Sequence, residues 1–170
     1  GRVAINASGV ELLSKGYAER VLDALRRAGV PPECLEIEVT ESVLIGRGAE
    51  RLIETLHILR CAGVSVALDD FGTGYASLTH LKTLPINRIK IDKSFVRDIT
   101  LDKEDAAIVS ATIGLAHALS LGVVAEGVET AEQAHFLRNC GCDIIQGYYV
   151  GHPVPGDQIA AAAADPQDED

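Results

Sequence analysis

Methionine is missing from the whole sequence of 170 residues, including position 1. We therefore expect the chain to be an excerpt from a longer protein. Apolar runs are also short, because none approaches the roughly 18 residues that cross a membrane as a helix. The first residues lack the apolar segment of a signal peptide. These absences predict a soluble, cytoplasmic protein in which this segment makes no membrane contact.

Positive charge is scarce, with 15 Lys and Arg residues against 25 Asp and Glu residues and a net charge of -10. This balance disfavours duplex nucleic acid or an anionic membrane as a partner bound by bulk electrostatics. A small anionic ligand remains compatible with the charge if metal cations mediate its binding.

Cysteine and histidine motifs are absent as well. The four cysteines include no pair with the two-residue gap of a zinc knuckle or a redox motif, so we expect buried free thiols. The five histidines include no pair at metal-binding helical spacing, and they have no predicted catalytic role.

The sequence does contain the alternation of an α/β protein. A hydrophobic content of 47% is sufficient for the core of one domain. Short runs rich in Val and Ile alternate with longer amphipathic stretches, which is typical of βα units around a parallel sheet. We expect residues 1–157 to form this unit and residues 158–170 to be a disordered acidic tail or a frayed helix.

The connecting segments have the pattern of barrel helices. Residues 17–28 and 49–62 place apolar side chains at three-and-four spacing, and each is followed by a glycine that ends the helix. Residues 105–120 repeat this pattern. Thr130 and Gln133 form a capping-box pattern that opens a further helix, which we expect to end at Gly141.

Six predicted strands share one chemical feature at or near their carboxyl ends. They are residues 3–6, 35–38, 64–70, 88–92, 123–126 and 143–146. The polar residues at their tips are Asn6, Glu38, Asp69, Lys90, Glu126 and Gln146. In a (β/α)8 barrel the carboxyl ends of the strands build the active site on one face, so we expect these tips to surround one cavity. The alternative for any single tip is a polar residue that marks the turn into solvent.

The densest motif is Asp69 and Asp70 followed by Gly72, Thr73 and Gly74. Neighbouring side chains point apart along a strand, but at its end the chain can turn both carboxylates toward one site. Two such oxygens suit Mg²⁺ or Mn²⁺ better than zinc. The glycines would let backbone N–H groups approach a phosphate or another loop closely. An ordinary turn from strand to loop is the alternative.

Two further carboxylate pairs have a spacing of three residues, Glu38 with Glu41 and Glu126 with Glu129. Crowded acids repel one another and their pKa values rise unless a cation neutralises them. Two metal ions would neutralise them, clamp a phosphoryl group and activate a water. Lys90 would orient that water or stabilise negative charge on phosphorus. A structural salt bridge is the alternative role of Lys90.

These motifs together resemble the EAL domain family of cyclic di-GMP phosphodiesterases. The resemblance covers about residues 3–155, and its motifs are residues 38–42, 69–75, 89–92, 124–130 and 146–148 with the Asn6 strand. It implies a TIM-like (β/α)8 barrel that hydrolyses cyclic di-GMP to linear pGpG in bacterial signalling. It also implies Mg²⁺ or Mn²⁺ as cofactor and a homodimer in the parent protein.

The resemblance implies a role for each matching residue. The metal ligands would be Asn6, Glu38, Asp69, Asp70 and Glu126. Lys90 would hold the attacking water, and Glu126 is also the candidate general base. The residues around the metal and the substrate would be Glu41, Gly72, Thr73, Gly74, Glu129 and Gln146. Glu41 would anchor the loop that follows Asp70.

The chain departs from the family pattern at its N-terminal end, because the Glu-Ala-Leu segment has no counterpart here. We therefore expect residues 1–157 to be the C-terminal two-thirds or more of an EAL domain, with about six of eight βα units and open sheet edges. We do not expect this portion alone to hold the whole catalytic set. Three functions stay open, namely a phosphodiesterase, a non-catalytic receptor for cyclic di-GMP, and a regulatory or oligomerisation module.

Overall fold

The computed structural model describes residues 1–45, 48–72, 74 and 81–159. In chain order the strands and helices are β1 (Val3–Asn6), α1 (Gly9–Leu13), α2 (Tyr17–Ala28), β2 (Leu35–Thr40), α3 (Glu41–Ile45), α4 (Ala49–Cys61), β3 (Ser65–Phe71), β4 (Arg88–Ile91), α5 (Lys93–Arg97), α6 (Lys103–Ala118), β5 (Gly122–Ala125), α7 (Ala131–Asn139) and β6 (Ile144–Ile145). Short 3₁₀ helices lie at Pro32–Cys34 and Gly156–Gln158.

The six strands form one parallel sheet in which each strand pairs with the next one along the chain. This order, with helices between the strands, is that of a βα barrel. The described strands form a half-barrel that has β1 and β6 at its two edges. The carboxyl ends of all six strands therefore meet at one rim, as the positions of the polar tips predict.

Apolar side chains on the outward face of the strands pack against the helices and form the hydrophobic core. Ile37, Val66, Ile89 and Val123, from four adjacent strands, are fully buried, as is Leu56 of α4. Each such side chain contributes about 1.5–3 kcal/mol when it is fully buried. Because this layer supplies the apolar core, the inward face of the strands is free to be polar.

The inward face carries a polar cluster below the rim. Arg88 Nη1 lies 2.6 Å from Glu36 Oε2, and the Ser65 hydroxyl donates to the same carboxylate at 2.7 Å. Since residues two apart on a strand share a face, Glu36 lies beneath Glu38, and Arg88 lies beneath Lys90. The half-barrel therefore contains two charged layers, one above the other.

Helix ends agree with the predicted signals to within two residues. The α2 helix has the predicted bounds and ends at Gly29, whose φ of 66° is left-handed. The α6 helix begins two residues before the predicted start, because the Asp102 carboxylate accepts hydrogen bonds from the backbone N–H groups of Glu104 and Asp105. The predicted capping box opens α7, which ends at Asn139, before Gly141.

The prediction of buried thiols was wrong. All four cysteines are free, but Cys61 is exposed and the others are only partly buried. Their places explain this difference, since Cys61 is the last residue of α4 and Cys140 caps the end of α7. Within the described ranges, no helix is long and apolar enough to cross a membrane. The predicted tail lies outside those ranges from residue 160 onward.

Candidate active site

The ammonium group of Lys90 stands at the centre of the rim, among three carboxylates. Its Nζ lies 2.8 Å from Glu38 Oε1, 3.1 Å from Asp69 Oδ1 and 2.7 Å from Glu126 Oε1. These residues come from β2, from β3 and from the loop after β5. The Lys90 side chain is only 4% exposed, so it meets the three carboxylates largely away from water, and its single positive charge offsets only part of their negative charge.

Lys90 on β4 contacts Glu38 on β2 even though β3 lies between these two strands. The β3 residue in register with Glu38 is Ala67, which is fully buried and points to the same side. Its methyl group leaves the space over β3 that the longer side chains use. We therefore expect a larger residue at position 67 to interfere with the contact between Glu38 and Lys90.

Asp69 and Asp70 approach the same point despite being neighbours on a strand. Asp70 has a left-handed φ of 53°, and the register of β3 on β4 shifts between Leu68 and Phe71. Such a bulge re-aims side chains that a regular strand would point to opposite faces. As a result Asp69, Asp70 and Glu126 each offer a carboxylate oxygen within 4.8 Å of the other two.

Burial and charge act in opposite directions on this cluster. Burial lowers the pKa of Lys90, but hydrogen bonds to Glu126 and Glu38 outweigh it and raise the pKa well above the ordinary value. Burial raises the pKa of Glu126, and the hydrogen bond from Lys90 only partly opposes this rise. Burial also raises the pKa of Asp70, with the charges of Asp69 and Asp92 adding to the effect. Lys90 is thus a fixed cation beside two acids that would favour a further cation.

The loop after β3 is held from two sides. Glu41 is buried, and its Oε1 accepts a hydrogen bond of 2.9 Å from the Gly72 N–H. Gly72 has a φ of 102°, and a Cβ there would lie 2.9 Å from the Phe95 ring. A Cβ on Gly74 would overlap the Glu41 carboxylate. The two glycines therefore allow the loop to lie directly against Glu41 and Phe95, whereas Thr73 lies outside the described residues.

Three other predicted site residues lie at the same rim. Asn6 is in register with Glu38 on the exposed edge strand β1. Gln146 follows β6, where its backbone bonds Ala125 and Val128. Glu129 is exposed and its N–H donates to Gln133. In the described part of the chain, none of these three side chains is hydrogen-bonded to the Lys90 cluster.

Sequence reasoning missed several residues that shape this site. Ala67 has no polar or ionisable group that would mark it as a site residue. Only its register with Glu38 shows that it lies beneath the contact between Glu38 and Lys90. The charge of Asp92 helps to raise the pKa of Asp70. Burial would raise the pKa of Asp92 itself, but hydrogen bonds from the Ser94 hydroxyl and N–H hold it below the ordinary value. Gln133 was recognised as a helix cap alone. Nothing in the sequence indicated that its side chain also donates a hydrogen bond to the Arg97 carbonyl.

Comparison with known proteins places this geometry in a family. The profile of the EAL domain matches residues 1–153. The chain belongs to the EAL domain family. It is 43% identical over 162 residues to MucR of Pseudomonas aeruginosa, a bifunctional diguanylate cyclase and cyclic di-GMP phosphodiesterase. That match covers 95% of this EAL domain chain and 24% of MucR, so the chain spans about a quarter of its relative.

Solved structures of EAL proteins confirm the predicted fold class. The MucR phosphodiesterase in complex with cyclic di-GMP has a TM-score of 0.86 and 42% identity, over 93% of this chain and 64% of that one. BlrP1 of Klebsiella pneumoniae in complex with manganese and cyclic di-GMP has a TM-score of 0.83 and 35% identity, over 89% of this chain and 39% of that one. The half-barrel is therefore part of the TIM-barrel fold of EAL domains.

Proposed function

We propose that the EAL domain to which this chain contributes hydrolyses one phosphodiester bond of cyclic di-GMP and releases linear pGpG. The observation that carries the proposal is the cluster of Asp69, Asp70 and Glu126, whose oxygens lie within 4.8 Å of one another beside the Lys90 ammonium. A cluster of acids around one cation is suited to hold divalent metal and a phosphate group. The names of relatives such as MucR support this substrate.

The donor set fits a hard divalent cation. Asp69, Asp70 and Glu126 offer only carboxylate oxygens, which favour Mg²⁺ or Mn²⁺ over zinc or copper. These three residues would hold the metal, with Glu38 and Asn6 as further ligands at the rim. When bound, divalent ions would supply charge neutralisation of the phosphoryl oxygens and a lowered pKa for water. Manganese in the BlrP1 complex supports this class of ion.

Two side chains would act on the reacting atoms. Lys90 has three N–H donors and a raised pKa, so it stays charged and would orient the attacking water or stabilise negative charge on phosphorus. Glu126 has a raised pKa and would accept the proton of that water as general base. Glu41 would hold the loop of Gly72 and Gly74 so that its backbone faces the substrate.

The test uses the longer protein that contains this domain. With Mg²⁺ or Mn²⁺ it should convert cyclic di-GMP to pGpG, measured by chromatography of the products, and Glu126→Gln should lower kcat by a factor of about 10² or more. The matched control is Glu54→Gln, the same change at an exposed position of α4. Normal turnover by the Glu126 variant would refute the assignment. Calorimetric binding of cyclic di-GMP without turnover by the wild type would instead support the receptor alternative.

Two further expectations concern the parent protein, the first implied by the resemblance of the motifs and the second by the short apolar runs of the sequence. One is a homodimer of the parent protein, which light scattering during gel filtration measures directly. The other is a cytoplasmic location, which fractionation of cells that express the parent protein would test. A monomer at all concentrations used in the turnover assay would contradict the first.

A further inference from the structure

Gln133 is a buried polar residue to which the proposed mechanism gives no role. It lies in the first turn of α7 and is only 5% exposed. Its Oε1 accepts hydrogen bonds from the N–H groups of Glu129 at 2.7 Å and Thr130 at 3.0 Å. Its Nε2 donates to the carbonyl oxygen of Arg97 at 3.0 Å. Both ends of its amide are thus engaged by backbone.

This bonding exceeds what a helix cap needs. In a capping box the third residue of the helix accepts from the N–H of the cap residue, here Thr130. Gln133 also binds Glu129, which precedes the helix, and Arg97, which ends α5. One side chain therefore ties the loop after β5 to the helix after β4. Lys90 lies on the first of these strands, β4, and Glu126 is the residue that follows the second, β5.

The loop between Glu126 and Thr130 is also held at its middle, where the Tyr149 N–H donates to the Val128 carbonyl at 3.0 Å and the Val128 side chain is fully buried. The Glu126 N–H donates to Ile91 at 3.2 Å, and the Val128 N–H donates to Gln146 at 3.0 Å. Gly127 has a left-handed φ of 69°, and a Cβ there would lie 2.6 Å from the Cβ of Lys93. The loop is thus packed closely against α5, and Gln133 holds its far end against the same helix.

We propose that Gln133 is a positioning residue that orders this loop and thereby orients Glu126 and Glu129 toward the metal site. The effect on metal rests on the proposed function, whereas the effect on loop order rests on geometry alone. Groups that orient metal ligands through a hydrogen bond typically change metal affinity by about 10-fold to 100-fold when they are removed. Gln133 acts through backbone, so we expect the lower end of that range.

Three variants separate loop order from helix capping. Gln133→Met keeps the shape and removes all three hydrogen bonds, whereas Gln133→Glu keeps the acceptor and loses only the donor to Arg97. Thr130→Ala is the matched control, because it removes the hydroxyl that accepts from the Gln133 N–H at 3.2 Å and leaves the Gln133 amide in place. All three should be compared at equal distance from their own Tm.

The first measurement is hydrogen exchange at the amides of Glu129 and Thr130, followed by NMR in the parent protein. We expect Gln133→Met to speed exchange by about tenfold or more, because the acceptor of both N–H groups is lost. Exchange in Gln133→Glu and Thr130→Ala should stay within about threefold of the wild type. Unchanged exchange in Gln133→Met would overturn the proposal.

The second measurement is the affinity for Mn²⁺, determined by calorimetry on the parent protein. Gln133→Met should bind Mn²⁺ about tenfold more weakly, Gln133→Glu should recover most of the affinity, and Thr130→Ala should match the wild type. Faster exchange with unchanged Mn²⁺ affinity would make Gln133 a purely structural residue and overturn the proposal. A wild type that binds no Mn²⁺ would refute the proposed function together with the role of Gln133 in it, and the exchange result would then concern loop order alone.

Discussion

The Lys90 ammonium donates a 2.7 Å hydrogen bond to the Glu126 carboxylate, although 36 residues separate the two in sequence. Lys90 lies on β4 and Glu126 directly follows β5, and the carboxyl ends of these neighbouring parallel strands lie side by side at the rim. The same ammonium reaches Glu38 and Asp69, so one cation serves three acids. Lys90 therefore has a structural role in addition to the catalytic role that we propose for it.

The structural role of Lys90 predicts a large loss of stability in Lys90→Met. Removal of one partner from a buried ion pair costs about 3–5 kcal/mol, and the partial exposure of Glu126 reduces our expectation to about 2–4 kcal/mol. Added Mn²⁺ should restore part of the loss, since a bound cation replaces the missing charge. Urea unfolding with and without Mn²⁺ measures both effects.

The control for this variant is Arg26→Met. Arg26 pairs with Asp23 on the surface of α2, where the Arg26 side chain is 75% exposed. Surface pairs contribute about 0–1 kcal/mol, so this change should be small and insensitive to Mn²⁺. Equal losses in the two variants would contradict the structural role of Lys90.

The backbone conformation and the close packing at position 72 require glycine, whereas some other glycines of the chain could be replaced by alanine. Gly72→Ala should destabilise the protein by about 1–3 kcal/mol, because the φ of 102° is unfavourable for alanine and the new Cβ meets the Phe95 ring. Gly114→Ala is the matched control, since nothing lies within 4 Å of a Cβ there and the residue is inside α6. It should stabilise by roughly 0.5–1 kcal/mol. Thermal unfolding that showed the same sign for both would contradict this explanation.

Asp143 predicts a dependence of stability on pH. Burial alone would raise its pKa, but hydrogen bonds with His117 at 3.0 Å and with the Val123 N–H at 2.7 Å hold the pKa below the ordinary value of 3.8. Since the folded pKa is depressed, its stabilisation is complete above the unfolded pKa and is lost as pH falls through the folded value. Its side chain is 47% exposed, so we expect less than about 1 kcal/mol.

Asp143→Asn tests this dependence by urea unfolding between about pH 2.5 and 6. The difference in free energy of unfolding from the wild type should be constant at the upper end and should shrink below about pH 4. Asp23→Asn, on the exposed face of α2, should show a flatter difference. A difference for Asp143→Asn that grew as pH fell would reverse the sign and refute the explanation.

Local signals in the sequence were sufficient to predict several helices and strands. The bounds of β1 and α2 and the Thr130–Gln133 capping box were predicted correctly, because each depends on a strand period, a glycine stop or a cap within a few residues. The meeting of Glu38, Asp69, Lys90 and Glu126 at one rim followed from parallel order. Topology converts these positions at strand ends into spatial neighbours without further information.

The geometry between elements could not be predicted in this way. The place of Asp69 and Asp70 at a strand end predicted that both could turn toward one site, but not the left-handed φ of Asp70 and the shifted register that bring them together. The Gln133 bond to Arg97 spans 36 residues and depends on how α5 packs against α7. The strand β6 is shorter than predicted because it pairs only with β5 at the edge of the described sheet.

The lower layer of Glu36, Ser65 and Arg88 bears on how the domain would bind the proposed ion. Its charges satisfy one another without metal, and they fix β2 and β4 on either side of β3. We therefore expect the scaffold beneath the rim to assemble without a bound ion. If the proposed function holds, metal binding would exchange partners around Lys90 without folding the domain. A chelator should then abolish turnover and leave the free energy of unfolding of the lower layer unchanged.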